Sequence, residues 1–244
     1  MKTITIRIPL LFAVCLASCE KKSESPDPAP KRVQVADYSK SDVPILPVKA
    51  GDFWKYRVTV EIAEGITSEG AASIETESER VRTYLGKVEV VKGSAPLDVF
   101  DVTTPGSPRL SELVDITDDK VMMRGSLLTD KPDAKPIMLE QPVPFVIAGM
   151  RPGQQSSKIG VAGGQVSRAM KVVAREKVST PAGEFDSIRL LMTGNDGPMD
   201  IRKTTWFAPG VGIVKEEMAR YANEKLLMRE TSELTETNVS VAKD

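Results

Sequence analysis

The chain has 244 residues, 41% hydrophobic and 27% charged, a globular rather than a disordered composition. Basic and acidic residues nearly balance at 33 against 34, so there is no electrostatic footprint for nucleic acid. Histidine is absent, which excludes a Ser-His-Asp triad, a Cys-His pair and zinc sites built from His and Cys.

Residues 1–18 read MKTITIRIPLLFAVCLAS. Lys2 and Arg7 make a positive start, Ile8 to Leu16 is almost entirely apolar, and Ala17 and Ser18 are small. This is the layout of a secretory signal peptide, with an apolar run too short to span a bilayer. Leu16-Ala17-Ser18-Cys19 resembles the lipobox of bacterial lipoproteins. That resemblance implies a diacylglyceryl group on the Cys19 sulfur, cleavage just before Cys19, and acylation of the new amino terminus. A disulfide with Cys15 or a free thiol are the alternatives. Cys15 lies inside the discarded run, and a single leftover cysteine in an exported chain needs an explanation that lipidation supplies. Each buried CH₂ contributes about 0.8 kcal/mol, so one chain anchors marginally and two or more anchor stably. Glu20 follows the cysteine where aspartate would imply inner-membrane retention. The resemblance therefore points to the outer membrane and leaves the periplasmic or surface face open.

Residues 19–47 are expected to form a disordered tether carrying the lipidated Cys19. Its alternating Pro26, Pro28 and Pro30 favour extended geometry at about 3.1 Å per residue. Its end, Val43-Pro44-Ile45-Leu46-Pro47, is apolar enough to dock on the domain behind it. A β-rich domain is expected over 48–236, followed by a disordered tail at 237–244.

Within the domain, Trp54, Tyr56, Val58, Val60 and Ile62 alternate with polar residues, the pattern of a strand with one buried face. From Arg80 to Val91, the set Val81, Thr83, Leu85 shifts phase at Gly86 to Val88 and Val90, which predicts a bulge. Leu97–Thr103 and Lys120–Leu128 read as short strands. The stretches 104–118 and 129–142 read as Pro- and Asp-containing loops, and Pro142 to Gly153 reads as a connection between halves 48–140 and 141–236. Met170, Val172 and Ala174 begin a hairpin that turns at Thr180–Glu184 and returns over Phe185–Thr193. Strands at Ile201–Phe207 and Ile213–Met218 follow, with turns at Asn195–Pro198 and Ala208–Gly212. Glu216–Glu236 has helix formers but no settled period, and two strands around a turn at Asn223 are preferred. The fold class is mainly β, an antiparallel β-sandwich or an open half-barrel.

Three short motifs add a second resemblance. Gly51-Asp52-x-Trp54, Pro181-Ala182-Gly183-x-Phe185 and Trp206-Phe207-Ala208-Pro209-Gly210-Val211-Gly212 resemble a family of exported bacterial β-rich domains labelled TapB-like. The family implies an antiparallel β fold with no established activity, and it supplies no catalytic residues. Trp54 and Trp206 read first as core anchors. Lining a groove for a sugar or an apolar ligand is their functional alternative.

Chemistry is otherwise thin. There is no phosphate-binding loop and no dinucleotide fingerprint, so no cofactor is expected. Asp115, Asp118 and Asp119, and the pair Asp196 and Asp200, read as solvated turn acids rather than a calcium site, so no metal is expected. The Ser-x-x-Lys pairs Ser18 with Lys21 and Ser240 with Lys243 fall outside the domain and read as chance. The expected partners are the membrane, through the lipid, and an unidentified envelope ligand or protein. The leading function is a non-catalytic binding or scaffolding lipoprotein of the envelope. Behind it stand a lipid or lipoprotein carrier-like half-barrel with an apolar cavity, and a carboxylate-dependent polysaccharide hydrolase.

Overall fold

The computed structural model describes residues 44–239 apart from 65, 67–73, 132, 156–158 and 162–165. The expected signal peptide, Cys19, most of the expected tether and both Ser-x-x-Lys pairs lie outside the described residues. Twelve strands run in chain order: β1 (Phe53–Ile62), β2 (Ile74–Val88), β3 (Leu97–Thr103), β4 (Leu110–Ile116), β5 (Lys120–Leu128), β6 (Ile137–Ile147), β7 (Ile159–Val161), β8 (Val166–Thr180), β9 (Gly183–Asp196), β10 (Met199–Ala208), β11 (Gly212–Ala222) and β12 (Lys225–Thr237). Among the described residues there is no helix.

All twelve strands belong to one antiparallel sheet in the order β6-β5-β4-β3-β2-β1-β12-β11-β10-β9-β8-β7. Consecutive strands pair except β6 and β7, which form the two edges, and the first and last strands pair at the centre. Of the two architectures the patterning allows, this is the open half-barrel. Contacts between strands far apart in the sheet show how it curls. Phe145 on β6 meets Phe207 on β10 edge to face, with ring centroids 6.0 Å apart. Ala182, at the β8–β9 turn, donates its amide to the Leu234 carbonyl on β12 at 3.0 Å. Irregularities at Lys55/Tyr56, Tyr84/Gly86, Leu113/Val114, Val172/Ala174 and Trp206/Phe207 bend the strands and raise the local twist.

The end of the tether docks as its composition suggests. The Ile45 amide donates to the Asp118 carbonyl at 2.8 Å, and the Ile45 carbonyl accepts from the Gly210 amide at 2.8 Å. This segment thus bridges the β4–β5 and β10–β11 turns. Ile45 and Leu46 are buried and plug one end of the half-barrel.

Glu216–Glu236 forms two strands, as preferred. Asn223 and Glu224 take positive φ of 48° and 64°, the paired left-handed geometry of a two-residue hairpin turn. Three expectations need correction. The stretches 104–118 and 129–142 contain β4 and the start of β6, and Pro142 to Phe145 lies within β6 rather than in a connection. Because β6 is an edge strand, Pro142 and Pro144 need not donate to a ladder on its open side, so proline does not end it. The third correction concerns the face of β2. The bulge falls at Tyr84/Gly86, but Arg80, Arg82 and Tyr84 point inward beside Tyr56 and Trp54, leaving Leu85 48% exposed.

Candidate functional site

The concave face has a filled floor and a hollow upper part. Trp54, Phe100, Phe207 and Leu234 fill the floor, each almost fully buried. Trp54 donates its indole Nε1 to the Val211 carbonyl at 2.7 Å and packs edge to face on Phe100 at 5.7 Å. This one bond ties the Gly-Asp-x-Trp strand to the Ala-Pro-Gly-Val-Gly turn. Gly212 takes φ +109° there, and a Cβ would stand 3.3 Å from Leu46 Cδ1 and 3.4 Å from Trp54 Nε1. The motifs that stand out in the sequence therefore converge on architecture at the closed end.

Trp206 points to the opposite face from Thr205. Its Nε1 donates to Glu176 Oε1 at 2.8 Å, and Lys215 Nζ lies 5.5 Å from its ring. Neither tryptophan is among the residues lining the two cavities described next. The acids singled out in sequence serve turns and pairs. Asp119 Oδ1 accepts from Thr117 Oγ1 at 2.7 Å, Asp115 lies 3.4 Å from Arg124, the Asp118 carbonyl holds Ile45, and Asp200 is exposed.

Above the floor the curled walls stay apart. A cavity of about 460 Å³ runs from Leu46 upward between the walls, past Met123, Phe145, Leu190 and Met192. A second cavity of about 270 Å³ adjoins it and shares Arg82, Glu112, Lys203 and Met218. A belt of charge separates them. Arg82 Nε and Nη2 reach Glu112 Oε2 at 2.9 and 2.8 Å. On the facing wall Lys203 Nζ lies 2.6 Å from Glu216 Oε1, which also accepts from Thr205 Oγ1 at 3.0 Å. Arg80 donates to Glu230 at 2.8 Å and to Ser232 and Thr104 at 3.1 Å each. Burial opposes ionisation of Glu112, but Arg82, Lys203 and Arg80 outweigh it and hold its carboxyl below its ordinary value. Burial pushes the Tyr56 hydroxyl up, so it stays protonated and donates to the Ile213 carbonyl at 3.0 Å.

Residues 150–232 match the DUF3108-like family. The DUF3108-like segment covers about a third of the chain and carries one wall of the trough, including Leu190, Met192, Lys203 and Met218. No curated protein matches the chain. Among solved structures, a Bacteroides fragilis protein named as exported, with a YmcC-like fold, is 17% identical, at a TM-score of 0.45 over 80% of this chain and 99% of its own. A Parabacteroides distasonis protein named as a lipoprotein is 14% identical, at a TM-score of 0.40 over 82% of this chain and 100% of its own.

One lining residue stands apart within the DUF3108-like segment. Arg220, on β11 opposite Ile201, lines the larger cavity, and its Nε is buried without a hydrogen-bond partner. A buried donor left unsatisfied costs about 1–3 kcal/mol. Arg189 Nε is likewise unpartnered, but the same guanidinium pairs with Glu176 through Nη1 at 3.2 Å.

Sequence reasoning passes over this belt because its members sit where an alternating pattern calls for apolar residues. The signal was present in phase. Lys203 and Thr205 share a face with Ile201 and Phe207, and Arg80 and Arg82 share one with Tyr84.

Proposed function

We infer that this is a non-catalytic, lipid-anchored protein of the cell envelope whose half-barrel binds an apolar ligand in its concave trough. The observation that carries the reading is the unfilled space of about 460 Å³ between walls of methionine, leucine and phenylalanine. Interiors normally pack to crystal density, and a space of this size falls in the range of ligand pockets. The anchor rests on the lipobox at Cys19. The carriage of an apolar ligand deepens the binding role and merges it with the carrier-like alternative. The hydrolase alternative gains less. The trough's carboxylates each pair with a cation, whereas glycoside hydrolysis needs a protonated acid beside a second carboxylate.

Titration with Nile red, an uncharged environment-sensitive dye, tests the trough. Saturable, blue-shifted fluorescence is expected, and Met192→Trp, which narrows the cavity, should abolish it without unfolding the protein. Unsaturable or absent binding in the wild type would defeat the reading. The anchor has its own test. Metabolic labelling with a clickable acyl chain should mark the wild type and spare Cys19→Ala, which should leave the membrane fraction. Undiminished labelling of that variant would remove the anchor.

A further inference from the structure

We propose that the trough's ligand is a long single-chain carboxylate, a free fatty acid, with its head group on Arg220 and its chain running down to Leu46. This rests on the reading of the trough as an apolar ligand site. Three observations carry it further.

The first is charge. Of the ionised side chains around the larger cavity, Arg82 is neutralised by Glu112 and Lys203 by Glu216. Arg220 forms no ion pair among the described residues, and its Nε is buried and unsatisfied. The lining therefore holds one uncompensated positive charge, the complement of one anionic head group. A guanidinium presents paired donors that match a carboxylate bidentately.

The second is position. Arg220 lies opposite Ile201 near the upper end of β10 and β11, while Phe207 and Leu46 line the same cavity near its floor. Ile201 and Phe207 stand six residue steps apart on β10, about 20 Å at roughly 3.3 Å per residue. A charged group at one end and, below it, a lining mainly of Met192, Leu190, Met123 and Phe145, with Lys203 held by Glu216, describe an amphiphile lying along the strands. The third is size. About 460 Å³ is near the low end of the pocket range of roughly 300–1,000 Å³, and it favours one chain over the two of a diacyl lipid.

Competition against Nile red with palmitate, methyl palmitate and dipalmitoyl phosphatidic acid tests this on the purified chain. Palmitate should bind the wild type at least about tenfold tighter than its uncharged ester, as one charge-assisted contact implies. Arg220→Gln should erase that difference chiefly by weakening palmitate, and saturable Nile red binding by the variant reports that the trough is intact. Arg220→Lys should keep part of the preference. Equal binding of acid and ester to the wild type, or a preference that survives Arg220→Gln, would overturn the head-group assignment and leave the apolar site standing. Tighter binding of the phosphatidic acid than of palmitate would overturn the single-chain assignment. Failure of all three ligands and of Nile red would bring down the trough reading and this inference together.

Discussion

The floor and the mouth of the half-barrel are built on the same strands and do opposite things. At the floor, large side chains interlock and the docked tether end completes the packing. Toward the mouth, the same concave face carries flexible methionines, paired charges and one arginine without a partner among the described residues, around open space. A closed end that packs to crystal density can hold the curl of the sheet. The open end is then free to remain hollow. The contrast predicts that stability is concentrated at the floor and binding at the mouth, and each variant below probes one side of it.

The largest loss should come from Trp54→Ala. It empties the centre of the floor and leaves the Val211 carbonyl without its 2.7 Å donor. Truncating a buried tryptophan costs about 3–5 kcal/mol. A urea titration should show a loss of unfolding free energy of that size. A loss below about 1 kcal/mol would mean that the floor does not hold the sheet's curl.

Leu46→Ala should follow, at roughly 2–4 kcal/mol, because it unplugs the floor without touching the sheet. The same variant tests whether the tether's end belongs to the domain. Protease digestion should reach residues near Ile45 faster in the variant than in the wild type. Unchanged cleavage would separate the segment's packing from the fold's stability.

How far these regions were legible in sequence follows the same division. The floor was readable because its anchors sit on clean alternation, as with Trp54 to Ile62, or at turns that demand glycine and proline, as with Ala208 to Gly212. β6 was hidden because Pro142 and Pro144 ordinarily break strands, and only its place at the sheet edge permits them. That place is a property of the whole topology, invisible locally. Gly125 is a similar case: a Cβ there would collide with the Ile137 carbonyl oxygen, so β5 needs a glycine where β6 crosses close. The mouth was the least legible. Charged residues on a strand read as solvent-facing, and Arg82, Glu112 and Lys203 become inward neighbours only when two distant walls curl together.

That inward pairing gives the third variant, Glu112→Gln, expected to cost about 1–3 kcal/mol at neutral pH by weakening a half-buried, charge-assisted bond to Arg82. Its sharper signature is pH. Glu112 titrates below its ordinary value of 4.5 in the folded state. Its contribution is therefore complete above that ordinary value and is lost as pH falls through the depressed folded value. Wild-type stability should drop across that window, and Glu112→Gln should lack this share of the drop. Parallel acid limbs in the two proteins would show that the pair is not ionically stabilised.

The smallest effect is expected from Met192→Ala, and it is the one that separates the two regions most directly. A methionine in a filled core loses contacts on every side when it is truncated, at about 2–5 kcal/mol. Met192 lines open space, and a wall beside a void has already forgone the partner atoms on that side. Truncation should cost under about 1.5 kcal/mol and should enlarge the space available to a ligand. Denaturant midpoints and Nile red capacity, measured on the same preparation, read both quantities. A cost as large as that of Leu46→Ala would mean that the mouth is packed like the floor, and the trough would lose its claim to be a binding site.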